Sequence, residues 1–82
     1  MYDILFYDKA KRQLGKLPLE IQKRILNSLE RIKIRPYSYV KQLANKYYRL
    51  RVGYYRVILD IRSNELLIMV IELGHRKKIY KK

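Results

Sequence analysis

Four arginines in the second half of the chain have the type and spacing to hold a phosphate group. Arg49 and Arg51 alternate on one predicted strand, Arg56 begins the next, and Arg76 follows the last. Side chains two positions apart share a strand face, so a two-residue turn at 53–54 would place Arg51 opposite Arg56, with Arg49 on the same face. Like charges held opposite each other destabilise a hairpin, so this cluster indicates an anion that neutralises it.

His75 and Tyr80 are the groups beside this cluster that have ordinary acid–base chemistry. Either could exchange a proton during attack of a ribose 2′-hydroxyl on a phosphate, whereas arginine stays charged and can only bind and stabilise. The alternative interpretation is that the arginines pair with Asp60 and Glu72, or merely solvate the sheet. In that case His75 and Tyr80 serve packing.

The charge of the whole chain supports a nucleic-acid partner. Of its 82 residues, 20 are Lys or Arg and 7 are Asp or Glu, which gives a formal net charge of +13. Such an excess favours salt-sensitive binding to the phosphate backbone of a nucleic acid. Besides the arginines, the candidate RNA-binding residues are Lys46, His75, Lys77 and Lys78.

The composition argues against several other classes of site. The chain has no cysteine, which excludes a disulfide, a thiolate nucleophile and a cysteine-based zinc site. Its carboxylates are dispersed and it has no Gly-rich phosphate loop, so we expect no metal and no cofactor. Its length predicts a single domain over residues 1–82. Without a signal peptide or an apolar run of about 18 residues, we expect a cytoplasmic protein with no membrane partner.

The first half of the chain predicts a strand followed by a helical hairpin. Residues 2–7 are rich in aromatic and branched side chains, which is typical of a short strand. Asp8 is the predicted N-cap of a first helix, and Pro18 is the predicted first residue of a second helix, which Pro36 ends. Apolar residues at helical spacing mark the buried faces, and they are Ala10, Leu14, Leu17, Ile21, Ile25, Leu29 and Ile32.

The second half changes to a period of two and predicts three strands after a connection over 37–46. We expect them at about 47–52, 54–61 and 65–73. One face of the last two is predicted to pack on the helices, and it comprises Tyr55, Val57, Leu59, Ile61, Leu67, Met69, Ile71 and Leu73. The resulting α+β fold has a four-stranded sheet, formed by the N-terminal strand and an antiparallel meander, with the helical hairpin on one face.

These residues resemble the RelE/ParE toxin superfamily, specifically the RelE-like mRNA interferases of toxin–antitoxin pairs. The resemblance covers nearly the whole chain. It rests on the size, the order of the elements, the tract from Tyr48 to Ile58 (YRLRVGYYRVI), and Gly74-His75-Arg76 followed four residues later by Tyr80.

The resemblance implies a metal-independent endoribonuclease that cleaves mRNA in the ribosomal A site through attack of a 2′-hydroxyl. Arg49 and Arg51 fall on the basic strand positions of the family, and Arg56 and Arg76 on its phosphate-binding arginines. Tyr80 falls on its C-terminal active-site tyrosine, with His75 adjacent to the site. Well-known members have lysines in place of Arg49 and Arg51, so the general base stays open between Tyr80 and His75.

The same resemblance implies a small acidic RelB-like antitoxin as partner, besides the ribosome and mRNA. Two alternative functions remain open. One is the ParE branch, which shares the fold but poisons DNA gyrase without cutting RNA. The other is a non-catalytic RNA-binding module in which tyrosines act as stacking platforms.

Overall fold

The computed structural model describes residues 1–75, so the predicted site residues Arg76, Lys77, Lys78 and Tyr80 lie outside the described part of the chain. Apart from one additional strand, helices and strands follow the predicted order, with short 3-10 turns at Pro36–Ser38 and Ser63–Glu65. The elements are β1 (Asp3–Phe6), α1 (Asp8–Gly15), α2 (Leu19–Ile32), β2 (Val40–Gln42), β3 (Tyr48–Val52), β4 (Tyr55–Arg62) and β5 (Leu67–His75).

Both helices begin one residue away from their predicted starts. Asp8 is the first residue of α1, after an N-cap at Tyr7 that makes no side-chain hydrogen bond, so its prediction as the N-cap was wrong. Pro18 is the N-cap of α2, and Glu20 lies in the first turn. The acidic side chains of both first turns lie near the positive end of a helix dipole, which they stabilise. No helix within residues 1–75 is long and apolar enough to cross a membrane.

The sheet of the described chain has five strands, in the order β1-β5-β4-β3-β2. Only β1 and β5 pair in parallel, and the other neighbours are antiparallel. The α+β class is confirmed, but the predicted count of four strands omitted β2. That strand has three residues and lies in the segment predicted as a connection, and so short a run shows no readable alternation.

The helices and one face of the sheet enclose the core. Ile25, Leu29 and Ile32 of α2 are almost fully buried against Val57 and Leu59 of β4 and their neighbours. The predicted core face of β4 is confirmed, since Ile61 is also buried and Tyr55 packs at the margin of the core. Ile58 is buried too but belongs to the opposite face. The amphipathic spacing of α2 thus identified its buried side correctly.

The predicted core face of β5 was wrong over most of its length. Ile68 and Val70 are fully buried in the core, whereas the predicted Leu67, Met69 and Ile71 are only partly buried. The cause is a β-bulge: Leu59 pairs with Val70 and Ile58 with Glu72, which leaves Ile71 as an extra residue. An extra residue reverses the alternation beyond it, so Leu73 returns to the core as predicted.

Gly53 occupies a backbone conformation that other residues adopt with strain. Its φ is +59°, while a Cβ there would lie an ordinary 3.8 Å from Nη2 of Arg24. We expect Gly53→Ala to destabilise the fold by about 1–2 kcal/mol. Gly15→Ala is the control, because nothing lies within 4 Å of its Cβ position and it ends a helix. That change is expected to stabilise by about 0.5 kcal/mol. Urea unfolding of both variants measures the difference, and equal effects would contradict this assignment.

Candidate nucleic-acid interface

The β3–β4 hairpin brings three of the predicted arginines onto one face of the sheet. Arg51 pairs with Arg56 and Val52 with Tyr55, so the two-residue turn and its register are as predicted. Arg49 pairs with Ile58 and shares that face, because residues directly opposite each other on antiparallel strands point the same way. We call this group of Arg49, Arg51 and Arg56 the arginine face. It lies on the side of the sheet away from the apolar core.

The three arginines differ in their exposure. Arg51 is exposed and Arg49 is partly buried, whereas Arg56, at 4% exposure, is the buried charged side chain of the described residues. Burying a guanidinium is costly unless charges and hydrogen bonds compensate for the lost water. A buried arginine is also held in place by its surroundings. Such a group can therefore present fixed donors to a phosphate that binds beside Arg51.

Two carboxylates on the same side of the sheet have cationic partners other than the arginine face. Glu72 accepts a hydrogen bond from Lys9 Nζ at 2.7 Å, and Asp60 accepts one from Arg62 Nε at 3.1 Å. That hydrogen bond and the charge of Asp60 raise the pKa of Arg62. The alternative interpretation relied on Asp60 and Glu72 as neutralising partners of the cluster. Each has at least one other partner in the structure.

His75 lies on the other face of the sheet. It pairs with Tyr55 at the end of β5, while its neighbour Gly74 pairs with Arg56. Its ring stacks on Tyr54, with ring centroids 6.4 Å apart and planes at 13°, and meets Tyr55 edge-on at 5.6 Å. The imidazole was expected to lie beside the arginines. The register of β5 instead places it on the opposite face.

Lys46 lies before the start of β3, at the opposite end of that strand from Arg51. It is exposed, has a φ of 66° and occupies the turn between β2 and β3. Five residues separate it from Arg51, a span of at most about 17 Å. Near that end of β3, Tyr37 meets Tyr48 edge-on at 5.4 Å. Burial raises the pKa of Tyr48, and the neighbouring Tyr37 and Asp60 raise it further. A general base needs a lowered tyrosine pKa, so this shift has the wrong direction for that role.

A second basic surface was missed by the sequence analysis. A groove of about 340 Å³ separates α2 from the end of β3, and we call it the α2–β3 groove. It is lined by Arg24, Asn27, Ser28 and Arg31 of α2 and by Arg51, Val52 and Gly53. The helical residues are spaced i, i+3, i+4 and i+7, so they form one polar stripe. That spacing was visible in the sequence, but what faces the stripe was not.

The chemistry available on the arginine face is binding and charge stabilisation. Arginine offers paired N–H donors to neighbouring phosphate oxygens and does not exchange protons at working pH. Within residues 1–75, no group of three or more His, Cys, Asp or Glu side chains is placed to hold a metal ion. Proton transfer in any reaction here needs a group beyond the three arginines.

A family model and several solved structures relate this chain to the same group of proteins. A family model described as the ParE toxin of the type II toxin–antitoxin system parDE matches residues 4–80. The RelBE2 toxin–antitoxin complex of Mycobacterium tuberculosis is similar in structure, with a TM-score of 0.83, 24% identity and coverage of 92% of this chain and 98% of that chain. No curated protein matches the sequence significantly.

Two further solved structures have the same fold. For the RelB–RelE complex of Methanococcus jannaschii the TM-score is 0.74 and the identity 28%, with coverage of 93% of this chain and 94% of that chain. For the isolated E. coli RelE toxin the values are 0.79 and 17%, with coverage of 99% and 93%. The fold is therefore that of the RelE/ParE toxin superfamily, as the sequence predicted. The chain belongs to the ParE toxin family of type II toxin–antitoxin systems.

Proposed function

We propose that this toxin is a ribosome-dependent, metal-independent endoribonuclease that cleaves mRNA in the ribosomal A site and so inhibits translation. The observation that carries the proposal is the register that sets Arg51 opposite the buried Arg56, with Arg49 on the same face. Arginines at neighbouring positions of one face offer paired N–H donors to the oxygens of a phosphate.

In the proposed reaction, the 2′-hydroxyl oxygen of the mRNA attacks the adjacent phosphorus in line. A 2′,3′-cyclic phosphate forms as the bond to the 5′-oxygen breaks. Arg51 and Arg56 bind the non-bridging oxygens, and Arg76 is proposed to join them, so that charge developing in the transition state is stabilised. The proton of the 2′-hydroxyl needs an acceptor, and the 5′-oxygen needs a donor.

Tyr80 is our first candidate for proton transfer. His75, the other candidate from the sequence, pairs with Tyr55 and stacks on Tyr54, on the face away from the arginines. Its position supports a role in RNA binding over one at the reacting phosphate. The proposed site thus comprises Arg49, Arg51, Arg56, Arg76 and Tyr80, with Lys46, Lys77 and Lys78 as further RNA contacts.

The proposed partner is a small acidic antitoxin of the RelB type. The similar structures from Mycobacterium tuberculosis and Methanococcus jannaschii are both complexes of a toxin with its antitoxin. A net charge of +13 on 82 residues supports an acidic partner, whose binding would weaken as salt screens the charges. We place the toxin and its antitoxin in the cytoplasm, where ribosomes and mRNA are found.

A second candidate function is inhibition of DNA gyrase without RNA cleavage. The observation that favours it is the family model, which describes the ParE toxin. The two candidates make different demands on the arginines. Only a nuclease needs a set of residues that binds a scissile phosphate, and the arginine face supports the first candidate for that reason.

Primer extension on an mRNA in a reconstituted translation reaction tests the nuclease. We expect cleavage at A-site codons only when ribosomes are present, and its loss in Arg76→Ala. Removing one such charged donor typically costs about 10²-fold or more in rate. A gyrase supercoiling assay runs in parallel. Intact mRNA together with inhibited supercoiling would establish the second candidate in place of the first.

A further inference from the structure

We propose that the α2–β3 groove is a separate binding site for the phosphate backbone of a single-stranded nucleic acid. The inference goes beyond the proposed function, because binding in the groove requires no cleavage. The groove is a concave surface of about 340 Å³ between a helix and a strand end. Three arginines line it, namely Arg24 and Arg31 from α2 and Arg51 from β3, together with the polar side chains of Asn27 and Ser28.

The charges of the groove are all of one sign. None of its lining residues is acidic, and within the described chain no ion pair involves Arg24, Arg31 or Arg51. The nearby α2 carboxylate of Glu30 pairs with Lys33 at 2.8 Å. Three arginines line this one depression, and their like charges repel each other in the free protein. A phosphate removes that repulsion and accepts their paired N–H donors.

The shape of the groove suits a chain of phosphates better than one isolated anion. Arg24 and Arg31 are seven residues apart on α2, so they lie about 10 Å apart along its axis. Asn27 and Ser28 lie between them on the same stripe and add neutral hydrogen-bonding groups. Successive phosphates of one strand can therefore contact the two ends of the stripe. Since Arg51 lines the groove and also belongs to the arginine face, the two surfaces adjoin.

An aromatic platform at one end of the groove favours a nucleic acid over an acidic peptide. Gly53 lines both the groove and a neighbouring cavity of about 120 Å³ that is bordered by Arg24 and Tyr54. Tyr54 is 70% exposed, and its ring is stacked on His75. Exposed aromatic rings beside a basic track are the elements with which single strands are bound, because every base has a face that can stack.

Fluorescence anisotropy with a labelled 2′-O-methyl oligonucleotide of about 12 nucleotides tests the inference. This probe has no free 2′-hydroxyl and cannot be cleaved, so its binding is measured whether or not the chain is a nuclease. The double variant Arg24→Gln/Arg31→Gln is compared with Arg12→Gln/Arg35→Gln, which removes two exposed arginines outside the groove. Both variants lower the net charge of +13 by two.

We expect the groove variant to bind about tenfold more weakly at about 0.1 M salt, and its slope of log K against log salt to fall by about 1.4. The control variant is expected to keep nearly the wild-type slope. Tyr54→Ala is expected to weaken binding about fivefold or more. Tyr39→Ala also removes an exposed tyrosine and is the control, and we expect it to weaken binding much less.

Two results would overturn the inference. Equal losses in the two double variants would show that only overall charge matters. The second result is that polyglutamate displaces the oligonucleotide at equal charge concentration and that Tyr54→Ala leaves oligonucleotide binding unchanged. The groove would then be assigned to an acidic peptide. Circular dichroism melting of each variant confirms that the fold is kept. Cleavage in the ribosome assay is scored separately, so failure of one proposal leaves the other standing.

Discussion

Arg56→Gln is expected to reduce ribosome-dependent mRNA cleavage by about 10²- to 10³-fold while the protein stays folded. Arg56 is 4% exposed and pairs directly with Arg51 on the neighbouring strand. Glutamine keeps a polar side chain at this position but has no charge and no paired donors for phosphate oxygens. The loss falls mainly on the transition state, where negative charge on those oxygens is greatest.

Primer extension with wild-type and variant toxin at equal concentration measures the effect. Arg62→Gln is the matched control, since Arg62 is on the same strand, is exposed and is bound to Asp60. Losing that surface ion pair is expected to cost at most about 1 kcal/mol of stability and to leave cleavage unchanged. If Arg56→Gln cleaved as well as Arg62→Gln, the arginine face would not be the site of the chemistry.

Deletion of Ile71 is expected to leave a folded protein, whereas deletion of Met69 is expected to unfold most of it. Ile71 is the extra residue of the bulge, so without it Val70 and Glu72 become neighbours in a regular ladder and keep their present faces. The cost is the partial burial of one side chain, about 1 kcal/mol. Without Met69, Ile68 and Val70 become adjacent and cannot both face the core.

One of those two fully buried side chains then leaves the core, at a cost of about 3–5 kcal/mol. That is a large part of the stability of a domain with about 0.05–0.15 kcal/mol per residue. Urea unfolding followed by circular dichroism compares the midpoints of both deletions with wild type. Similar midpoints for the two deletions would show that the bulge does not set the register of β5.

The hairpin and the helices were predictable because their determinants are local. Gly53 needs a positive φ, and this fixes a two-residue turn, from which the pairing of Arg51 with Arg56 follows directly. Apolar residues at helical spacing likewise identified the buried side of α2. A one-residue error in the turn would have moved the arginines to different faces, so the prediction depended on that single glycine.

Other features depend on contacts between segments distant in sequence. The three residues of β2 form a strand because β3 pairs with them, and their own sequence does not show it. The bulge at Ile71 reverses the alternation of β5 and turned Met69 and Ile71 away from their predicted face. The register of β5 also put His75 beside Tyr55, on the face away from the arginines.

The sequence by itself determined the α+β fold, the family, the basic charge and the arginine face, because residue spacing and one turn encode them. Only the tertiary structure decided the depth at which Arg56 is buried and the α2–β3 groove. Both depend on how segments distant in sequence pack together. Arg24 and Arg51 line the same groove although 27 residues of sequence separate them, and no local pattern shows that they lie close together.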